Sequence, residues 1–338
     1  MQVKFPSLLQ KNNEVKSIIN MFIKCDTIKI RTNYKYLQET KKPFNIKYNS
    51  KGKEHGIEFN SKHYPDMPFN LYIATNNNHQ TLEIEFSSKI LKERYHELIN
   101  KDTIRQCLQN INQLNICTLD IDSILHNSCI IRADITKDID LQLTDEILQA
   151  LNNNVGNYRR FKWQHYENKG ITFTKNTIWE KEEIKIYNKY KELLNHSYKF
   201  LNTLPNKQQI INHFYRKTRF EITLRGEKQI KERLGVNTDI HSFFNALDTA
   251  VRDQYQRVFN LTALELDTTT CHNHDQWAMT QILDKFNGDL QQIEQNLRAN
   301  NILTSYNGIT TRMKKYQALK AHINHKENKI IKEICNLL

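Results

Sequence analysis

Tyr187 sits in the stretch Ile184–Glu192 (IKIYNKYKE), flanked by Lys185, Lys189, Tyr190 and Lys191. Further along, Thr218–Arg225 (TRFEITLR) alternates apolar Phe220, Ile222 and Leu224 with polar Arg219, Glu221 and Arg225. A phenol is a weak nucleophile at neutral pH because its unperturbed pKa is about 10. Neighbouring ammonium groups favour its ionised form. Carboxylates can hold a divalent cation that polarises a phosphoryl oxygen and stabilises charge in the transition state. The chemistry these residue types suit is attack by a tyrosine on a phosphodiester.

Elements of period two bring such groups together, because alternate residues of a strand share one face. In Leu82–Phe86, Glu83 and Glu85 lie opposite Leu82, Ile84 and Phe86. In Ile130–Thr136, Arg132, Asp134 and Thr136 share a face, and in Ile184–Lys189 so do Lys185, Tyr187 and Lys189. One antiparallel sheet, with helices on its apolar side, would therefore collect Glu83, Asp134, Glu221 and Tyr187 on its open face. The same alternation equally describes an ordinary solvated strand face. Oxygen-only ligands favour Mg²⁺ or Mn²⁺ over zinc.

Further strands are expected at Thr27–Arg31, Leu71–Thr75 and Ile171–Thr174, and helices at Lys89–Asn115, Thr144–Asn152 and Glu192–Phe200. Lys41–Asn70 and Leu151–Lys169 read as long polar connections. Beyond Gly235 the apolar spacing becomes three and four, over Asp239–Phe259, Trp277–Phe286, Asp289–Ala299 and Thr311–Leu337. The expected class is α+β: an antiparallel sheet covered by helices on one face, then a mostly helical C-terminal region. The domains expected are 1–235 and 236–338, with a soft break near Leu234–Asp239.

The 338 residues carry a net charge of +12, with a sequence pI near 9.2. That balance favours a polyanionic partner, since each cation docked on a phosphate releases a counterion. In Tyr158–Trp163 (YRRFKW), Arg159, Arg160 and Lys162 could hold phosphates while Phe161 or Trp163 stacks on an unpaired base; an amphipathic segment with core aromatics fits as well. Arg132, Arg219 and Arg225 are further candidates for phosphate contact. The basic pattern of Thr311–Lys332 suits duplex DNA or a solvated face. Six cysteines without C-x-x-C spacing argue against a zinc ribbon and a disulfide framework. Met1–Asn13 lacks the apolar core of a signal peptide, and no apolar run nears the roughly 18 residues of a membrane helix. A cytoplasmic protein is expected.

Four blocks in order, LEIEFSS (82–88), IIRADIT (130–136), IKIYNKYKEL (184–193) and RFEITLRGEKQIKERLGV (219–236), resemble the gene II/gene X family, the replication initiators of filamentous phages and rolling-circle plasmids. Asp26 in CDTIKIR is similar to the family's opening strand, and the likeness spans about Cys25 to Phe259. The resemblance implies an HUH-endonuclease-like fold. It also implies a nicking tyrosine at Tyr187, with Lys189 and Glu192 in matching places and acidic positions at Glu83, Asp134 and Glu221. The product implied is a 5′-phosphotyrosine with a free 3′-OH, and the partners are origin DNA, a host helicase and a host polymerase. The His-hydrophobic-His triplet of HUH enzymes is missing; His55, His63 or the pair His272 and His274 are the available substitutes. If a helix begins near Tyr187, Tyr190 falls on the same face and could act as a second nucleophile; otherwise it packs. A relaxase of a mobilisable element would share this chemistry, and a regulator without catalysis would share the fold.

Overall fold

The computed structural model describes residues 22–154, 162–166, 170–176, 181–265, 271–286, 288–300, 302, 305–321 and 324–338. Its strands are β1 (Cys25–Asn33), β2 (Leu37–Thr40), β3 (Asn45–Tyr48), β4 (Glu54–Asn60), β5 (Leu71–Asn76), β6 (Thr81–Ser87), β7 (Cys117–Leu119), β8 (Cys129–Ile139), β9 (Lys162–Tyr166), β10 (Gly170–Asn176), β11 (Lys181–Asn188), β12 (Thr218–Arg225), β13 (Thr262–Glu265) and β14 (Asn324–Glu327). The chain is α+β and divides into two compact units. One comprises Met1–Gln142 with Thr177–Val251, the other Leu143–Asn176 with Arg252–Leu338. The second unit is thus assembled from two separate stretches, not from a single C-terminal block beginning at 236.

The first unit is built on antiparallel strands in the order β3-β4-β5-β6-β1-β8-β12-β11. Alternation dictates its faces. Ile28, Ile30, Leu82, Ile84, Phe86, Ala133, Ile135, Ile184, Ile186, Phe220, Ile222 and Leu224 are all buried, each aliphatic or aromatic side chain contributing about 1.5–3 kcal/mol. Helices Glu227–Leu234 and Ile240–Phe244 pack against β8. Gly235, at φ 67°, ends the first of them in the left-handed conformation that glycine adopts without penalty. On β4, Gly56 lies so close to β5 that a Cβ would stand 2.1 Å from the Thr75 carbonyl oxygen.

Four expectations differ from what is observed, and one is that Leu151–Lys169, read as a connection, contains strand β9. Lys41–Asn70 contains the edge strand β3 and its neighbour β4, which are too polar to signal themselves. Lys89–Asn115 is a 3-10 stretch, Ser88–Glu97, kinked at Lys92, followed by helix Ile104–Gln113. Between them the chain turns at Leu98 and Ile99 pairs with Cys25. Thr311–Leu337 is interrupted by β14, between helices Tyr306–Ala321 and Lys329–Leu337.

The second unit contains helix Asp145–Asn153, capped by the Thr144 hydroxyl, and the hairpin β9–β10. Its helices His274–Lys285, Leu290–Ala299 and Tyr306–Ala321 enclose a core of Met279, Leu283, Ile293, Leu297 and Tyr316. None of the six cysteines is in a disulfide. Among the described residues no helix is long and apolar enough to cross a membrane.

Candidate active site

Pairing of β8, β12 and β11 sets the site. Across β11 and β12, Lys185 faces Glu221 and Tyr187 faces Arg219. Across β12 and β8, Arg219 faces Asp138, Glu221 faces Thr136 and Thr223 faces Asp134. Asp134 and Glu221 are therefore diagonal neighbours on one face. The Tyr187 hydroxyl donates to Glu221 Oε2 at 3.1 Å, and Lys185 Nζ donates to Oε1 at 2.7 Å. Arg132 reaches Asp134 Oδ2 at 3.2 Å and Glu85 at 2.7 Å. Asp134 Oδ1 is buried without a well-formed hydrogen bond among the described residues, the Thr223 hydroxyl opposite it being its nearest polar support. Tyr187 is half-buried as a residue.

Burial raises both Asp134 and Glu221 above the usual carboxylate range, opposed by Arg132 and Lys185 respectively, while Asp134 adds negative charge beside Glu221 and Asp26 does so beside Asp134. Burial also raises the Tyr187 phenol well above 10, and Glu221 adds to the effect. The lysines do not lower it as the sequence suggested. Lys185 is spent on Glu221, and Lys189 Nζ on Glu192 at 2.5 Å.

Arg219 is fully buried. Its guanidinium bonds Asp138 twice, at 2.7 and 2.8 Å, and Asp26 once, at 2.7 Å, with the Phe214 ring 5.4 Å from its centre. It is an internal strut and is not available to a DNA phosphate. Asp26 reaches it from a bulge in β1, where the register against β8 shifts between Cys25 and Thr27. Burial would raise the Asp26 carboxyl, but Arg219 and Lys189 outweigh it and hold the group low. The Ser88 hydroxyl also donates to Asp26.

Helix Lys189–His196 begins after its cap at Asn188, so Tyr187 belongs to β11 and does not share a helical face with Tyr190. The Tyr190 ring packs edge-on against Tyr215, with centroids 5.6 Å apart. Lys189 is buried at the helix start beside the rings of Tyr95, Tyr187 and Phe214.

Glu83 stands apart from the other two predicted ligands. It faces Arg31 on β1, whereas Asp134 faces Thr27; four residues of strand separate the two positions, about 13 Å. Lys29, at 2.7 Å, and Arg31, at 2.9 Å, occupy its carboxylate and hold it low against burial. It cannot share a cation with Asp134. Arg225 is exposed and 3.6 Å from Glu183. Arg159 and Arg160 lie outside the described residues, and Lys162 is described only as the first residue of β9.

Among the described residues, no three His, Cys, Asp or Glu side chains converge on a metal position. Asp134, beside Glu221, nevertheless suits Mg²⁺, which is held by one or two carboxylates and otherwise by water and substrate phosphate. The poorly bonded Asp134 oxygen and the raised pKa of both acids are what a cation would relieve. His272 and His274 lie at the start of helix His274–Lys285, around its Asn273 cap. Sequence reasoning put Glu85 on the face of Glu83 without a role and missed Asp138 and the position of Asp26, since bulges and cross-strand ion pairs leave no periodic mark.

No family model and no curated protein matches the chain. Among solved structures, it is similar to one described as a rolling circle replication initiator protein from Geobacillus stearothermophilus. That likeness has 14% identity and a TM-score of 0.32, and covers 60% of this chain and 74% of the other. A likeness this slight assigns neither a residue nor an activity to the present chain.

Proposed function

We propose that the chain is a tyrosine nickase of single-stranded DNA that initiates rolling-circle replication, with Tyr187 as nucleophile and Glu221 as its proton acceptor. The observation that carries the reading is the 3.1 Å hydrogen bond from the Tyr187 hydroxyl to Glu221 Oε2. A phenol held up by burial is not ionised in advance, so its proton must leave as it attacks. A carboxylate whose own pKa is raised is the better base for that task. The Tyr187 oxygen bonds to phosphorus, the P–O3′ bond breaks, the phenolic proton passes to Glu221, and the departing 3′ oxygen takes a proton from water. The products are a 5′-phosphotyrosine and a free 3′-OH. Reversal by that hydroxyl reseals the strand without an external energy source.

Asp134 is the residue that would hold Mg²⁺ or Mn²⁺, leaving Glu221 to take the proton; the cation's contribution would be to offset negative charge on the phosphoryl oxygens. Lys185 orients Glu221 and restrains its basicity. Arg219, through Asp138 and Asp26, fixes β12 beside β8 and β1 and so aligns Tyr187. Origin DNA, a host helicase and a host polymerase are the partners such an initiator requires. The decisive experiment is mass spectrometry of the protein–DNA adduct trapped on a supercoiled origin plasmid. Attachment at Tyr187 is the expected result; attachment at Tyr190, or none with the intact chain, defeats the assignment.

A further inference from the structure

A cleft of about 610 Å³ lies in the first unit beside the Arg219 strut, with Asp138 in its wall. Its lining includes Phe22, Lys101, His96, His213 and Lys217. Lys101 Nζ stands 4.1 Å from the centre of the Phe22 ring. The imidazoles of His96 and His213 lie 4.8 Å apart at an interplanar angle of 49°. His96 Nδ1 is buried with no hydrogen-bond partner, and Lys217 Nζ is 3.4 Å from His213 Nε2. None of these groups has a part in the chemistry at Tyr187.

The charges of the cleft are unequally spent. Asp138 is bound twice by Arg219, Glu97 twice by Arg94, and Asp248 by Lys137 at 2.9 Å. Against the remaining carboxylate of Asp102 stand the ammonium groups of Lys101 and Lys217, which no carboxylate bridges among the described residues. Cations interleaved with an aromatic ring and a pair of imidazoles match a chain of phosphates bearing bases with open faces. Paired bases are already stacked within a duplex and offer no such face.

Position joins this cleft to the reacting centre. Asp138 faces Arg219, which faces Tyr187. Two strand spacings, about 10 Å, separate the cleft wall from the nucleophile, a distance of a few nucleotides. We propose that this cleft holds the single strand next to the scissile phosphate, with Lys101 and Lys217 on phosphates and Phe22 under a base. The assignment rests on the nickase reading for its substrate, but its test does not depend on cutting.

The full chain carrying Tyr187→Phe is titrated, in the presence of a chelator, against a fluorescent mixed-sequence single strand of about thirty nucleotides, and binding is followed by anisotropy across a salt series. Losing two phosphate contacts in Lys101→Ala with Lys217→Ala should flatten the slope of log K against log salt by about 1.4. Phe22→Ala should weaken binding on the order of ten-fold at every salt concentration with the slope unchanged. The Lys101→Arg, Lys217→Arg chain should keep the slope. Unchanged affinity and slope in the alanine variants, or an equal loss on blunt duplex of the same sequence, overturns the cleft. Adduct formation by the chain with Tyr187 intact is scored separately. A missing adduct with normal strand binding condemns the nucleophile, and a normal adduct with cleft variants that bind normally condemns the cleft.

Discussion

Replacing Arg219 by methionine removes a fully buried cation while leaving Asp138 and Asp26, whose side chains are 11% and 21% exposed, with their charges uncompensated. Breaking a buried ion pair from one side costs about 3–5 kcal/mol, because the partner left behind has lost its main counterion and gains little water in exchange. Urea unfolding at pH 7 measures the loss, through a lower midpoint at constant slope. The pH dependence has a definite sign. In the native protein Asp26 is held below its usual value, so it contributes stability above the unfolded carboxylate pKa and loses it as pH falls through the folded value. Without Arg219 its pKa rises, and protonation relieves the variant just where the native protein is weakened. The gap between the two should therefore narrow as pH falls below about 4. Adding Asp26→Asn and Asp138→Asn to the variant should restore part of the lost stability, since no orphaned charge then remains. A cost under about 1 kcal/mol, or a gap independent of pH, refutes the strut. A residue that merely contacted DNA would instead change the salt dependence of binding and leave unfolding unaltered.

Tyr187→Phe should abolish covalent attachment to DNA while costing only about 1 kcal/mol of stability, the worth of one hydrogen bond; both are read from adduct gels and urea unfolding. Glu221→Gln should slow nicking by about 10²–10⁴-fold, as loss of a general base does, with the chain still folded by circular dichroism. In the native protein the nicking rate should rise with pH through a midpoint above the ordinary carboxylate range, because Glu221 must be ionised and burial raises it. Lys185→Met should move that midpoint higher still, since Lys185 favours the ionised form. Titration calorimetry with Mn²⁺ should give binding that Asp134→Asn abolishes and Glu83→Gln leaves intact; the reverse order would return Glu83 to the cation site. Gly56→Ala should destabilise the β4–β5 pair, lowering the melting temperature, because its Cβ would meet a backbone oxygen at 2.1 Å.

Strict alternation made β6, β8 and β12 legible, since one apolar residue in every two identifies both the strand and its buried face. That was enough to bring Tyr187, Asp134 and Glu221 to a common surface. It could not supply the position of strands along one another, and register is what removes Glu83 from the group. Nor could it distinguish a buried arginine from an exposed one in TRFEITLR, because Arg219 and Arg225 are equivalent by periodicity and differ only in what flanks them. The bulge at Asp26 and the kink at Lys92 depend on tertiary pairing. β3 and β4 escaped notice because a sheet's outer strands need less apolar surface.

The discontinuity of the second unit has a practical consequence. Residues 143–176 are a detour between β8 and β11, and their partners within the second unit arrive with the last part of the chain: the Asn260 amide bonds the Asn154 carbonyl, and Phe259 meets Phe173 edge to face, with centroids 5.2 Å apart. A fragment ended at residue 235 would keep the detour and lose its counterpart, stranding Leu148, Leu151, Ile171 and Phe173 without cover. Halving this protein at its most obvious change of texture would yield a sticky, poorly behaved piece; a shortened version has to excise the loop together with the tail.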